Sequence, residues 1–178
     1  MFKLFHNEDN KVKIVDRVFM YRQSKWNYCR KFLSQAPKTI FIGWFDETIA
    51  ELENHIDRDT YPASSVINAR TIHTSQVEGL TILFIEHHPM KSKEEIVFKQ
   101  LELKEAIVLT SLDEPLLTKF GSEKLIKIMQ GLGMKEDEII EHKMVGQSIA
   151  NAQEKIEKKI IVEQTVRSQE EWMKRNFR

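Results

Sequence analysis

Three stretches of this chain are apolar at nearly every position: residues 39–45, 80–85 and 106–109. Strands apolar on both sides belong to a sheet that helices cover on both faces, the habit of parallel α/β sheets. Residues 65–69 give a weaker fourth strand. Between these runs the apolar spacing lengthens to three and four. Behind Asp46, the residues Ile49, Leu52 and Ile56 fall on one helical stripe. Ser92 with Glu95 reads as a capping box ahead of Ile96, Val97 and Leu101. Ser122 reads as the cap of a helix carrying Leu125, Ile128, Met129 and Leu132, ended by Gly131 or Gly133.

The two flanks read as helical. Residues 12–33 predict an N-terminal helix that stops before Pro37. From Lys135 onward there is no proline and one glycine, Gly146, while Ile140, Met144, Val145, Ile149, Ala152, Ile156, Ile160, Val166 and Met173 recur at helical spacing. This predicts one long helix, or two with a break. A continuous helix of about 40 residues would extend about 60 Å, so part of it is expected to cross a surface or project. The expected architecture is α/β: a mostly parallel sheet flanked by helices, with a long C-terminal helix. Three parts follow: a basic helical segment over 1–37, an α/β domain over 38–134, and the long helix over 135–178.

Composition agrees with one compact domain and an appendage, since 178 residues at 41% hydrophobic and 30% charged can fill a core. Intrinsic disorder and a membrane span are both excluded, the latter because no run approaches about 18 apolar residues. The 27 basic and 27 acidic side chains cancel overall but not locally. Residues 1–38 carry nine basic and three acidic groups, a net +6, whereas residues 39–160 carry 14 and 21, a net −7. Electrostatic docking is therefore expected on the N-terminal segment. A single cysteine, Cys29, and an N-terminus without a long apolar run point to the cytoplasm.

Several chemistries are missing. No G-K-[ST] occurs to wrap and neutralise phosphates, and no G-x-G-x-x-G or G-x-S-x-G is present. Cys29 lies among Trp26, Tyr28 and Phe32, a packed thiol rather than a nucleophile. His87 and His88 are adjacent and would point to opposite faces of a strand, so they do not share a metal. Catalytic, cofactor and metal sites are accordingly all expected to be absent. Basic and aromatic residues do interleave over 11–38, at Arg17, Tyr21, Arg22, Lys25, Trp26, Tyr28, Arg30, Lys31 and Phe32. The plainest reading is a solvated basic face over a buried aromatic stripe. An acidic protein partner, nucleic acid or an anionic membrane are the alternatives.

One region is more specific than its composition. The run from Phe120-Gly121-Ser122-Glu123-Lys124, through Leu132-Gly133-Met134-Lys135-Glu136-Asp137-Glu138-Ile139-Ile140-Glu141-His142, to Ile149-Ala150-Asn151-Ala152-Gln153-Glu154-Lys155-Ile156-Glu157 resembles the SecA family, the ATP-driven motors of bacterial preprotein translocation. It resembles the exit of that family's second motor domain into its scaffold helix. Weaker similarity runs upstream, through Leu109-Thr110-Ser111-Leu112-Asp113-Glu114, Glu86-His87-His88, Ile67-Asn68-Ala69-Arg70 and Thr39-Ile40-Phe41-Ile42-Gly43. The resemblance spans about residues 38–158 and is strong over 109–158. It implies a RecA-like, helicase C-terminal-like domain. The family's phosphate-binding loop has no counterpart here, nor do its arginine-bearing segments, and no arginine lies between Arg70 and Arg167. An arginine finger is worth about 10³ to 10⁵ in rate, and Lys104 lacks the planar fork.

The expectation is a P-loop-less, non-catalytic SecA-like protein, a pseudo-ATPase that binds as an adaptor and is tied to protein transport. Its partner-binding residues are expected to be Arg22, Lys25, Trp26 and Arg30 on the basic helix and Ile156, Ile160 and Val166 on the long one. The partner would be a translocation component or a second copy docked along the long helix. Two alternatives stand beside it. The chain could complete an ATP site with another chain through Lys91, Lys93 and Arg70, or bind nucleic acid through the basic helix.

Overall fold

The computed structural model describes residues 11–56 and 65–177. The first ten positions of the expected N-terminal segment lie outside the described residues. Five strands form one parallel sheet: β1 (Lys13–Phe19), β2 (Thr39–Gly43), β3 (Val66–Asn68), β4 (Thr81–Phe84) and β5 (Glu105–Ser111). Their spatial order is β1-β5-β4-β2-β3. The helices are α1 (Arg22–Gln35), α2 (Asp46–His55), α3 (Lys91–Gln100), α4 (Pro115–Thr118), α5 (Ser122–Gly131), α6 (Lys143–Glu157) and α7 (Gln169–Asn176). The fold is α/β of the RecA-like type.

The sheet is covered on both sides, as its apolar strands require. Alternate side chains of one strand serve opposite faces. Phe41 joins Trp26, Cys29 and Leu33 of α1 and Leu52 of α2, while Ile40 and Ile42 join Val97 and Phe98 of α3 and Ile149 and Ile156 of α6. Gly43 permits this closeness at the end of β2, because a Cβ there would come within 2.7 Å of Ile49 Cγ1.

The N-terminal flank differs from the helix expected of it, and of the two C-terminal alternatives the structure takes two helices with a break. The segment 12–33 is not one helix: its first part is β1, the edge strand, and the helix begins only at Arg22. Ile14, Val15 and Val18 are β-branched and suit a strand, and the charges at Lys13, Asp16 and Arg17 suit an edge. Nor is there a continuous helix from Lys135. Ile140 makes an antiparallel bridge to Val18, with N–H donated in each direction at 3.2 and 2.8 Å, which holds residues before Lys143 extended. His142 then caps α6, its Nδ1 accepting the Met144 N–H at 3.2 Å.

Beyond Glu157 the chain reverses and α7 folds back, capped by the Ser168 hydroxyl, which accepts the Glu171 N–H at 3.1 Å. Ile156, Val166, Trp172, Met173 and Phe177 all enter the core, so no helical arm projects among the described residues. The expected caps also differ. Ser92 bonds Glu157 instead of its own helix start, and Ser122 Oγ donates to the Leu112 carbonyl. The N-cap of α5 is Gly121, at φ +85°, a left-handed turn that suits glycine.

Candidate functional site at the carboxyl edge of the sheet

In open α/β sheets ligands bind outside the carboxyl ends of the strands, where the connections diverge to either side. After β2 the chain passes through α2 to β3 on one flank. After β4 it passes through α3 to β5 on the other. The divergence therefore lies between β2 and β4, and Glu86 fills it. One oxygen of its carboxyl accepts the N–H groups of Trp44 at 2.9 Å and Phe45 at 3.0 Å, and the other accepts the Thr48 hydroxyl at 2.8 Å. These amides lead into α2, with Phe45 its N-cap, where helix dipole and orphan donors would otherwise attract a phosphate.

The remaining turns from strand to α-helix are closed in the same way. The Arg22 N–H, which opens α1, donates to both carboxyl oxygens of Asp113 at 2.9 and 3.1 Å. The His88 N–H, between β4 and α3, donates to Glu94 at 2.8 Å. The Ser111 N–H, at the end of β5 ahead of α4, donates to Glu114 at 3.1 Å. Each of the four turns from a strand to an α-helix in the carboxyl-edge layer carries one of the chain's own carboxylates.

The buried cation is committed as well. Lys25 of α1 donates to the Ile85 carbonyl at 2.6 Å and pairs with Glu114, with its Nζ 4.3 Å from the Trp26 ring centre. Glu114 also accepts the Thr110 hydroxyl at 2.6 Å. Burial pushes the Glu86 carboxyl up to about 7, although the positive charge of Lys25 partly opposes this. The opening above this network is a cavity of about 130 Å³, smaller than the roughly 300 Å³ at which ligand pockets begin. Its lining holds five carboxylates, Glu47, Glu51, Glu86, Glu114 and Glu170, against two cations, Arg22 and Lys25.

A second buried network adjoins the first. His87 lies between Glu94 at 2.9 Å and Asp16 at 3.0 Å. Burial alone would depress its pKa, but the two carboxylates outweigh this and lift it to about 10, so the ring is an imidazolium. Gly146 of α6 makes room for this arrangement, since a Cβ there would stand 2.5 Å from Asp16 Oδ2. His88 packs among Trp44, Phe45 and Trp172 and pairs with Glu163 at 3.2 Å. The hydrogen bond from His88 holds the Glu163 carboxyl well below the usual range, with help from Trp172 and Lys93.

α7 locks the edge. Gln169 accepts the Leu116 N–H at 2.8 Å and donates to the His87 carbonyl at 3.0 Å, both inside the protein.

The expected partner-binding residues do not share a surface. Lys25 and Trp26 are buried in the core, Arg22 is half-buried against Glu51 at 2.9 Å, and Arg30 is exposed on α1. Ile156 and Val166 are buried and Ile160 is half-buried, because the reversal after α6 folds this stretch inward. Lys93 is held by Glu163 at 2.9 Å and Lys91 lies 3.9 Å from Glu95, while Arg70 is exposed beyond β3. Cys29 is a packed thiol that burial pushes up to about 12. Among the described residues no group of His, Cys, Asp and Glu is arranged to hold a metal, and no helix is long and apolar enough to cross a membrane.

Sequence reasoning passed over Asp16, Glu86, Glu94, Asp113, Glu114 and Gln169 as parts of one site. A signal existed in the loops after β4 and β5, which carry Glu86, Asp113 and Glu114 within three residues of the strand ends.

No family model matches the chain. The SecA protein translocase subunit of Acidithiobacillus ferrooxidans is 60% identical over 47 residues, which cover 26% of this chain and 5% of that protein. The Clostridium botulinum subunit is 36% identical over 86 residues, 46% of this chain and 10% of that protein. The Acinetobacter baumannii subunit is 49% identical over 47 residues, again 26% and 5%. The chain thus spans a tenth or less of the length of these relatives. Part of it is SecA-like, carried on a RecA-like α/β fold whose carboxyl edge is closed by its own acids.

Proposed function

We propose that this chain is a non-catalytic SecA-like binding module, a pseudo-ATPase that serves protein translocation as an adaptor. The observation that carries this reading is Glu86. At the divergence of the sheet, its carboxyl occupies the amides of Trp44 and Phe45 that a phosphate would need. A triphosphate brought to this edge would meet carboxylates at each turn and a lysine already neutralised by Glu114. Its charges would be repelled at short range in a medium of low dielectric. The lack of a phosphate loop and of any arginine between Arg70 and Arg167 agrees with this. The link to translocation rests on the SecA likeness.

The test is affinity capture from the native cytosol on the immobilised chain, with and without ATP, read by mass spectrometry for translocation components. Recovery independent of nucleotide is expected. Recovery that requires nucleotide would favour a shared ATP site, and absence of translocation components would contradict the adaptor reading.

A further inference from the structure

On the face of the domain remote from α1 and α2, an apolar groove of about 360 Å³ runs between α5 and α6. Its floor is Leu112, Leu117, Ile149 and Ala152, and its walls are Leu125 of α5 and Val145 of α6. Neither an acid nor a base lines it. Two of its lining residues are exposed, Met144 at 72% and Phe120 at 40%, and so are Ile128 at 58% and Leu132 at 82% farther along the chain from Leu125. Leu125, Ile128 and Leu132 follow one another at three and four residues, one helical stripe that leads from the groove wall along α5 to its C-cap. Single exposed apolar residues need no explanation, but a contiguous set beside a cleft marks an interaction surface.

Charge at one end says what kind of partner fits. Lys155 Nζ lies 6.0 Å from the centre of the Phe120 ring, and Lys119 and Lys159 lie 5.7 and 5.0 Å from the centre of the Phe177 ring. The two rings are themselves 6.2 Å apart, so three ammonium groups gather on one aromatic pair at the mouth of the groove. Among the described residues none of the three has a carboxylate within 4.0 Å, whereas Lys158 and Lys174 are paired with Glu154 and Glu170. Held over rings, with no described carboxylate within 4.0 Å, these lysines are placed to meet an anion.

We infer that the α5–α6 groove receives an amphipathic helix of a partner protein, apolar on the face that enters the cleft and acidic at the end that meets Lys119, Lys155 and Lys159. From Met144 to Lys155 the α6 wall is about 16 Å long, which matches about three helical turns. Anchors at i, i+3, i+4 and i+7 would reach the floor, the usual pattern of helix-in-groove recognition. The inference rests on the binding-module reading and names the partner class that such a module would hold.

The experiment is a fluorescence-anisotropy titration of the full chain with two labelled synthetic helices about three turns long, identical in their leucine stripe. One carries glutamates and the other lysines at the flanking positions. The glutamate helix is expected to bind at least about tenfold more tightly, a gap that narrows as salt rises. Met144→Glu is expected to abolish binding, and the combined Lys119→Glu, Lys155→Glu, Lys159→Glu variant is expected to reverse the preference. All four positions are exposed, so both variants keep the fold. Equal binding of the two helices, no binding of either, or binding indifferent to Met144→Glu would overturn the inference. So would displacement of the glutamate helix by phosphatidylglycerol vesicles, which would make the surface a membrane face. None of these outcomes bears on whether the carboxyl edge takes a nucleotide.

Discussion

The carboxyl edge of the sheet and the α5–α6 flank are opposite in kind. At the edge the groups are polar, charged and buried, and nearly all are satisfied from within: Glu86 by two amides and a hydroxyl, Lys25 by Glu114 and a carbonyl, Gln169 by an amide and a carbonyl. At the flank the groups are apolar and open, and three lysines stand without carboxylate partners among the described residues. A RecA-like domain that binds nucleotide must leave donors free at its carboxyl edge. Here the Arg22, Trp44, Phe45, His88 and Ser111 N–H groups at that edge donate to the chain's own carboxylates. Donors at the edge therefore serve stability, and substitutions there should cost folding free energy; substitutions at the flank should cost almost none.

Lys25→Ala should have the largest effect. It strands the Glu114 carboxylate inside the protein, and removal of one partner from a buried pair costs about 3–5 kcal/mol. Urea denaturation followed by circular dichroism would register it as a lowered midpoint. Loss below about 1 kcal/mol would mean that water reaches Glu114, and the edge would then be open.

Gln169→Ala comes next. It leaves the Leu116 N–H and the His87 carbonyl buried without partners, at about 1–3 kcal/mol for each unsatisfied group. Amide exchange in α7 should accelerate, because Gln169 holds that helix to the edge. Unchanged exchange would show α7 to be anchored by its other contacts, among them Trp172, Met173 and the Trp172 bond to Glu163.

Stability should also fall as pH rises, in two windows. Glu86 binds its proton more firmly folded than unfolded, with its pKa raised from 4.5 to about 7. Its share of stability is complete below pH 4.5 and lost as pH climbs to about 7. His87 is raised from 6.5 to about 10, so its share is complete below pH 6.5 and lost as pH climbs through about 10. Denaturation midpoints across pH should show both slopes. Glu86→Gln should remove the lower slope and His87→Gln the upper; a single slope in the parent protein would reassign one of these groups.

The smallest effect on stability belongs to the flank. Lys155→Glu, exposed at the mouth of the groove, should change folding free energy by less than about 0.5 kcal/mol. A larger loss would mean that Lys155 supports the fold.

Legibility in the sequence followed burial. β2, β4 and β5 were readable because strands covered on both faces are apolar throughout, and α2 because Ile49, Leu52 and Ile56 face a single side. β1 was not, because an edge strand alternates poorly and its Lys13, Asp16 and Arg17 imitate the polar side of a helix. In the C-terminal region the sequence left one long helix or two with a break, and the structure has two, α6 and α7. A helical period carries no sign of where the chain turns back, and the start of α6 depends on Ile140 meeting Val18, a contact between distant residues. The closed edge was equally hidden. Lys25 sits in a run of basic residues that reads as solvated, and only the packing of α1 beside β5 brings it to Glu114. What the sequence did carry was the missing phosphate loop and the SecA-like run, which direct attention to the carboxyl edge.

The most direct measurement is calorimetric titration of the purified chain with magnesium ATP, paired with an assay of phosphate release. No heat of binding at millimolar nucleotide and no phosphate release is expected from an edge whose amides and lysine are already occupied. Saturable binding below millimolar concentration, or turnover by the chain alone, would contradict it.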